Sequence, residues 1–383
     1  MFDRPSGGTA AVLVGIDFGA SGFAESLGEL RLLALSAGIN PRAVVQGKRD
    51  RPDPTHFAGK GKVEEIRQQL TAQGAELAVF NHQLSAAQER NLERTLECRV
   101  LDRTRLILDI FAQRAQSHEG KLQVELAHLE HISTRLIRGW THLERQRGGI
   151  GLRGGPGETQ LEVDRRLLSD RMKVVKEKLS RLKRQRGVQR RGRIRAGALS
   201  VSLVGYTNAG KSTLFNALTH AGTYAADKLF ATLDTKTRRL YLPQAGNIVL
   251  SDTVGFIREL PTTLVAAFRA TLEETIQADL LLHVVDATSE VRGAQIEQVN
   301  QVLAEIGASG IPQVLIWNKI DLNGGEAGID RDEYDKICRV RLSAKTADGV
   351  AYLRQALIEA AASRQQSTIS FKTKPNGIGR NVA

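Results

Sequence analysis

Val201-Ser202-Leu203-Val204-Gly205-Tyr206-Thr207-Asn208-Ala209-Gly210-Lys211-Ser212-Thr213-Leu214-Phe215 is the stretch that decides the fold. Val201–Val204 reads as a buried strand, and Leu214–Leu218 opens an apolar-periodic helix. Between them stands a complete G-x-x-x-x-G-K-S loop, in the strand–loop–helix setting that a phosphate-binding loop requires. Glycine lets backbone N–H groups wrap a phosphate without a Cβ in the way. Lys211 is placed to reach the terminal phosphates. The Ser212 hydroxyl is a ligand for Mg2+, a hard cation that prefers oxygen.

Downstream motifs continue the site in order. Forty residues beyond Ser212 comes Asp252-Thr253-Val254-Gly255, directly after the strand Ile248–Ser251. An acid at a strand end can hold magnesium through water, and the Gly255 N–H can sense a γ-phosphate. Another 66 residues on, Asn318-Lys319-Ile320-Asp321 follows the strand Val314–Trp317. A carboxylate at Asp321 can accept from guanine N1–H and the exocyclic amine. Adenine lacks that donor pair, so Asp321 argues for GTP over ATP. Ser343-Ala344-Lys345 follows the strand Arg339–Leu342, 25 residues past Asn318, and can close over the base. With Leu280–Val285 as a further strand, residues 198–363 read as a nucleotide-binding domain with a mostly parallel sheet. Gly324–Gly328 reads as a loop, and Ser363–Ala383 lacks periodicity, so a tail is expected over 364–383.

Upstream lies the charge. The 383 residues hold 54 Lys+Arg against 42 Asp+Glu, a formal charge of +12. Arg165–Arg195 contains 14 Lys/Arg and 2 Asp/Glu, so that one block carries the whole imbalance. A block of this kind usually faces a polyanion. It belongs to a helical pattern. Leu122, Leu126, Leu129, Leu136, Trp140 and Leu143 recur at coiled-coil spacing, as do Leu161, Leu168, Met172, Val175, Leu179 and Leu182. Between the two runs, Gly148–Gly157 has six glycines in ten residues. The pattern predicts a long antiparallel helical hairpin over 119–197 with a glycine-rich tip. Its second helix is expected to run about 30 residues, or about 45 Å. Gly187, Gly192 and Gly197 are expected to break it into a basic linker.

Residues 1–118 alternate strands (Ala11–Phe18, Ala43–Gln46, Ala75–Phe80, Arg99–Leu101) with helices (Glu25–Ala37, Lys62–Gln73, Ser85–Leu96). That alternation predicts a small parallel α/β domain. The whole reads as an α/β multidomain chain. Two distant cysteines, Cys98 and Cys338, exclude a disulfide scaffold and a paired-cysteine zinc site. They fit a reducing cytoplasm. The apolar stretch from Ala10 ends at Asp17, too short for a signal sequence, and nothing approaches a membrane span. A monomer without membrane partners is expected.

The motif spacing resembles the G domain of translational GTPases, in the superfamily containing Obg and HflX. Gly148–Arg166, reading GGIGLRGGPGETQLEVDRR, is similar to the HflX signature between the N-terminal and G domains. Arg103–Arg114, Gly205–Phe215 and Asp252–Ile257 also resemble HflX segments, and the likeness runs over roughly residues 9–362. It implies that switch I is Phe230-Ala231-Thr232-Leu233-Asp234, with the Thr232 hydroxyl on Mg2+ and Thr235 a minor competitor. It implies a reaction carried by Lys211, Thr232 and Gly255, with GTP as substrate and GDP as product. Phe256 stands where many GTPases place a water-orienting glutamine, which implies slow intrinsic hydrolysis raised by a partner. The implied partner is the large ribosomal subunit and its rRNA, docked by the basic hairpin. Its tip would reach toward the peptidyl-transferase region, and Arg153 would contact a phosphate or base. The implied role is splitting or rescue of stalled ribosomes under stress. An RNA-remodelling NTPase, a ribosome-assembly factor and a non-catalytic RNA-binding scaffold are the alternatives. Many family members carry a further small domain after the G domain; here only the short tail is expected.

Weaker signals remain. Gly59-Lys60-Gly61-Lys62 precedes a helix and could hold an anion, although a plain turn is the simpler reading. His118, His128, His131 and His142 read as surface histidines rather than metal ligands, and Asp102 and Asp109 as capping or surface carboxylates.

Overall fold

The computed structural model describes residues 8–19, 22–139, 160–195, 198–219, 229–258 and 272–372. Two compact units divide the chain. The first takes Met1–Arg186 with two short later segments, Ala226–Asp234 and Arg258–Arg269. The second takes Gly187–Ala225, Thr235–Ile257 and Ala270–Ala383.

In the first unit, β1 (Ala10–Asp17), β2 (Asn40–Lys48), β3 (Leu77–Phe80) and β4 (Arg99–Asp102) pair in parallel in the order β2-β1-β3-β4. Helices α1 (Phe23–Ser36), α2 (Lys60–Gln73), α3 (Ala86–Leu96) and α4 (Arg103–Arg114) connect and follow them. Alternation along β1 sends Val12, Val14 and Ile16 into a core with Val63, Ile66 and Leu70 of α2 and Leu92 and Leu96 of α3. Leu13, which alternation puts on the other face, is also buried, as are Leu30, Leu33, Leu106 and Ile110 of α1 and α4. Ser85 and Gln88 form a capping box that starts α3.

Asp102 caps α4, its carboxylate accepting from the Arg105 N–H at 2.8 Å. It also takes Arg135 Nη2 at 2.6 Å, while Arg135 pairs with Glu89 as well. Asp102 and Asp109 are buried, so neither is a surface carboxylate. His131 is also buried, contrary to expectation. Burial pulls its pKa down to about 4, and its Nε2 accepts from Arg135 Nε at 2.8 Å.

The hairpin helices are α5 (His118–Gly139) and α6 (Gln160–Arg195). Leu122, Leu126 and Leu129 pack on Met172, Val175, Leu179 and Leu182, as the heptads predict. Arg171–Glu125 and Lys176–Glu130 ion pairs, at 2.5 and 3.0 Å, flank this seam. The expected break does not occur at Gly187 or Gly192, since α6 continues to Arg195. Each glycine costs a helix only about 1 kcal/mol relative to alanine, and the arginines and glutamines around them are good helix formers. The glycine-rich tip, Trp140, Leu143 and Gly197 lie outside the described residues.

The second unit holds a seven-stranded sheet. It is built from β5 (Leu199–Gly205), β6 (Lys236–Leu242), β7 (Gly246–Asp252), β8 (Leu280–Asp286), β9 (Gln313–Asn318), β10 (Gly328–Arg331) and β11 (Ile337–Arg341). Its order is β10-β11-β9-β8-β5-β7-β6, parallel except at the two edge pairs β6·β7 and β10·β11. Helices α7 (Lys211–Thr219), α8 (Glu273–Ile276), α9 (Arg292–Glu305) and α10 (Val350–Lys372) belong to this unit. Val201, Leu203, Leu282, Val284 and Ile316 meet Leu214, Phe215 and Leu218 of α7 and Leu353 and Leu357 of α10 in one core. Helix α10 continues to Lys372, so helix extends into the stretch expected as a tail. Among the described residues no helix is long and apolar enough to cross a membrane.

Candidate functional site

The carboxyl ends of β5, β7 and β9 carry the functional loops, the edge at which open α/β sheets bind ligands. Strand β5 delivers its chain into Gly205–Gly210, and α7 starts at Lys211. Two glycines here answer specific demands. Gly205 has φ +143°, and a Cβ on it would collide with the Val284 carbonyl of β8. Gly210 has φ +93°, and a Cβ would collide with Asn318 Nδ2. Asn208, also at positive φ (+62°), completes the loop's curl.

Lys211 is 6% exposed. Its Nζ donates to the carbonyls of Gly205 (3.0 Å) and Tyr206 (2.8 Å). Burial pulls its pKa down to about 8, with the charge of Asp252 opposing the shift. Ser212 Oγ donates to Asp252 Oδ2 at 2.7 Å, and Asp252 is fully buried. A hydroxyl and a carboxylate in contact are hard oxygen donors suited to Mg2+. Thr213 follows, half-buried, in the first turn of α7.

Asp252-Thr253-Val254-Gly255 is stitched to the phosphate loop. Thr253 Oγ1 donates to the Leu203 carbonyl at 2.6 Å. The Phe256 N–H donates to the Gly205 carbonyl at 3.1 Å, and the Thr207 N–H donates to the Phe256 carbonyl at 2.7 Å. Gly255 therefore lies against the loop, where a Cβ would stand 2.7 Å from Thr207 Cγ2 and 3.1 Å from Lys211 Nζ. The Phe256 ring is 1% exposed, a packed aromatic with no polar atom to offer water.

Asn318, at the end of β9, is a bolt. Its Nδ2 donates to the Ala209 carbonyl at 2.9 Å, and its Oδ1 accepts from the Ala344 N–H at 2.8 Å. It thereby joins the phosphate loop to Ser343-Ala344-Lys345, a link its motif alone did not reveal. Ser343 is buried and its Oγ accepts from the Thr346 N–H at 3.2 Å; Lys345 is exposed. Lys319 has φ +67° and pairs through Nζ with Asp286 at 2.7 Å. Asp286 escaped the sequence reading because its run, Leu280–Val285, announces only a buried strand. Ile320 is buried and Asp321 exposed in the 3-10 turn Ile320–Leu322. Asp321 and Lys345 thus lie exposed, while Lys211 and Asp252 are buried.

The second unit thus brings together Gly205–Thr213, Asp252–Gly255, Asn318–Asp321 and Ser343–Lys345. The expected switch I, Phe230, Ala231, Thr232, Leu233 and Asp234, falls in the first unit. Phe230, Thr232 and Leu233 are buried there, and the Asp234 carboxylate is taken by backbone N–H groups of Gln116 and Ser117.

Family profiles cover most of the chain: a GTP-binding GTPase N-terminal region at residues 24–112, a GTP-binding GTPase middle region at 114–193, and a 50S ribosome-binding GTPase at 200–319. The GTPase HflX of Escherichia coli (strain K12) is 58% identical over 360 residues, spanning 94% of this chain and 84% of that protein. The chain belongs to the HflX family of GTPases. The HflX of Magnetococcus marinus is 49% identical over 324 residues, spanning 85% of this chain and 75% of its own. Among solved structures, SsGBP in complex with GDP is 25% identical, with a TM-score of 0.51 over 93% of this chain and 99% of that one. As an HflX GTPase the protein binds GTP and hydrolyses it to GDP and phosphate.

Proposed function

We propose that this HflX GTPase docks on the large ribosomal subunit through its basic hairpin and that bound GTP favours docking. Splitting or rescuing stalled ribosomes under stress is the role assigned to it. One observation carries the reading. Helix α6 pairs Arg171 and Lys176 with α5, and Lys173, Lys178, Arg181, Lys183 and Arg184 are exposed along the same helix. Cations on one rod suit the phosphates of rRNA, with affinity that falls steeply with salt. The 50S ribosome-binding description of the matching profile supports the same partner.

Within the nucleotide site, Lys211 and the loop amides hold the phosphates. Ser212 and Thr232 would hold Mg2+, which would supply neutralisation of phosphate charge, with Asp252 supporting the ion. Gly255 offers its N–H to the γ-phosphate, Asp321 reads guanine, and Ser343–Lys345 closes over the base. Catalysis is positioning and electrostatics on an in-line water. With Phe256 in the glutamine position, turnover is slow alone.

Reversing charge at Arg181, Lys183 and Arg184 together is expected to weaken co-sedimentation with large subunits at least tenfold and to flatten its salt dependence by about three ions. Unchanged sedimentation across the salt series would contradict the docking surface. Single-turnover GTP hydrolysis should accelerate with large subunits and not with small ones. Equal rates with and without ribosomes would favour a scaffold in which nucleotide is structural. Effective competition by ATP would favour the RNA-remodelling alternative.

A further inference from the structure

Asp286 ends β8 beside Asn318, which ends β9 in register with it. Both residues lie in the second unit. The Asp286 carboxylate has two tasks. Its Oδ1 accepts from the Thr288 N–H at 3.0 Å and from the Thr288 hydroxyl at 2.7 Å, which turns the chain after the strand. Its Oδ2 accepts from Lys319 Nζ at 2.7 Å. Burial works to raise the pKa of this carboxyl, but the bonds from Lys319 and Thr288 outweigh it and hold the group below the usual carboxylate range. Anion and cation therefore meet as a charge-assisted pair, with side chains only 22% and 24% exposed.

Neighbouring contacts repeat the link. The Ala287 N–H donates to the Asn318 carbonyl at 2.9 Å. Arg292 Nη1 donates to the Ala287 carbonyl at 3.3 Å, and its guanidinium stands over the Trp317 ring, 5.0 Å from the centroid. The loop after β8 is thus fastened to Trp317, Asn318 and Lys319 in turn. Lys319 needs the support. Its φ of +67° and ψ of 32° are left-handed, a conformation that is costly for a residue with a Cβ. Ile320 comes next and is buried, and Asp321 follows, exposed, in the same 3-10 turn. The backbone at Lys319 therefore sets the direction in which Asp321 leaves the strand.

We propose that Asp286 is a positioning residue for guanine recognition: by holding Lys319 it fixes the left-handed turn from which Asp321 meets the base. The proposal rests on the reading of Asp321 as the residue that accepts from guanine. Asp286 acts through Lys319 and not on the base. Two donors side by side, N1–H and the exocyclic amine, require both carboxylate oxygens to face them squarely, whereas N1–H alone tolerates a tilt. The pair with Lys319 thus serves the discrimination between bases more than it serves overall affinity.

The test is competition of GDP and inosine diphosphate against a fluorescent GDP on the full chain. Inosine diphosphate keeps N1–H and lacks the exocyclic amine, so the preference for GDP reports how squarely Asp321 faces both donors. Asp286→Asn should weaken GDP about tenfold, the scale of one charge-assisted hydrogen bond lost, and inosine diphosphate by no more than about threefold. In a Lys319→Met background, Asp286→Asn should change neither affinity by more than about twofold, because the partner it acts through is gone. An unchanged preference for GDP in Asp286→Asn would overturn the proposal. So would equal losses for the two nucleotides, which would mark general damage to the site, or a further loss in the Lys319→Met background, which would mark an action independent of Lys319. Asp321→Asn separates the two layers. If it erases the preference for GDP while Asp286→Asn leaves it intact, only the positioning role is wrong. If it keeps that preference, the Asp321 reading is wrong and the proposal falls with it.

Discussion

Lys211→Met is expected to lower kcat/KM for GTP by about 10^3-fold or more and, in the same protein, to raise the thermal unfolding midpoint. The first effect follows from removing the ammonium proposed to meet the terminal phosphates. Loss of a single preorganised donor to developing charge typically costs about 10^2–10^3 in rate, and Lys211 serves binding as well. The second effect follows from burial. With a pKa pulled from 10.5 to about 8, the charged amine destabilises the folded chain at neutral pH by about 3 kcal/mol. The two carbonyl bonds to Gly205 and Tyr206 offset part of that cost. Methionine fills similar volume without a charge to desolvate.

The pH dependence has a definite sign. Below pH 8 the amine is charged in both folded and unfolded states, and the penalty is full. Between about 8 and 10.5 the unfolded chain keeps a proton that the folded chain has lost, so stability rises with pH across that window. Wild type minus Lys211→Met, measured by denaturant unfolding from pH 7 to 10, should therefore narrow as pH rises. A gap that is constant, or that favours wild type at pH 7, would show that Lys211 is not held as a buried cation.

The nucleotide loops were legible because their chemistry is local. Gly205, Gly210, Lys211 and Ser212 lie within one eight-residue loop, as a site whose amides, amine and hydroxyl are proposed to meet one phosphate requires. The parallel core strands were equally plain, as short apolar runs ended by motif residues. Two edge strands were not. Strand β6, Lys236-Thr237-Arg238-Arg239-Leu240-Tyr241-Leu242, buries only Leu240 and Leu242, and its polar first half hides the alternation. Strand β10 is four residues at the sheet's other rim, begun by Gly328, and its residues are at most half-buried. The sequence pattern ends helix α6 too early because glycine is a strong local signal but a weak local energy. The Asp234–Ser117 contact was invisible for a different reason. It joins residues more than a hundred positions apart, and nothing in Ser117-His118-Glu119-Gly120 says that a carboxylate will accept from this backbone. Asn318 shows the same limit. Its motif points at the base, whereas its side chain fastens Ala209 to Ala344.

Asp321→Asn should cost guanine binding about 10–100-fold and move base preference toward xanthine, with little gain for adenine. Guanine offers two donors side by side, N1–H and the exocyclic amine. A carboxylate answers them with two acceptors and a negative charge, worth about 1.5–3 kcal/mol per charge-assisted bond. An asparagine amide offers one acceptor and one donor, so one guanine N–H faces another N–H. Xanthine replaces the exocyclic amine with a carbonyl, and the amide then matches it donor to acceptor. Adenine carries neither the N1–H nor an oxygen at that edge and gains nothing from the change. Asp321 is exposed, so the substitution leaves no buried group unpaired and should not disturb the fold. Asn318 and Lys319 keep their bonds to Ala209, Ala344 and Asp286, which holds the loop in place while its base-reading group changes. Competition of GTP, XTP and ATP against a fluorescent guanine nucleotide on the wild type and the variant reads this directly. Retained GTP affinity in Asp321→Asn would move guanine recognition to another residue, and a rise in ATP affinity alone would point to loosened contacts rather than exchanged hydrogen bonds.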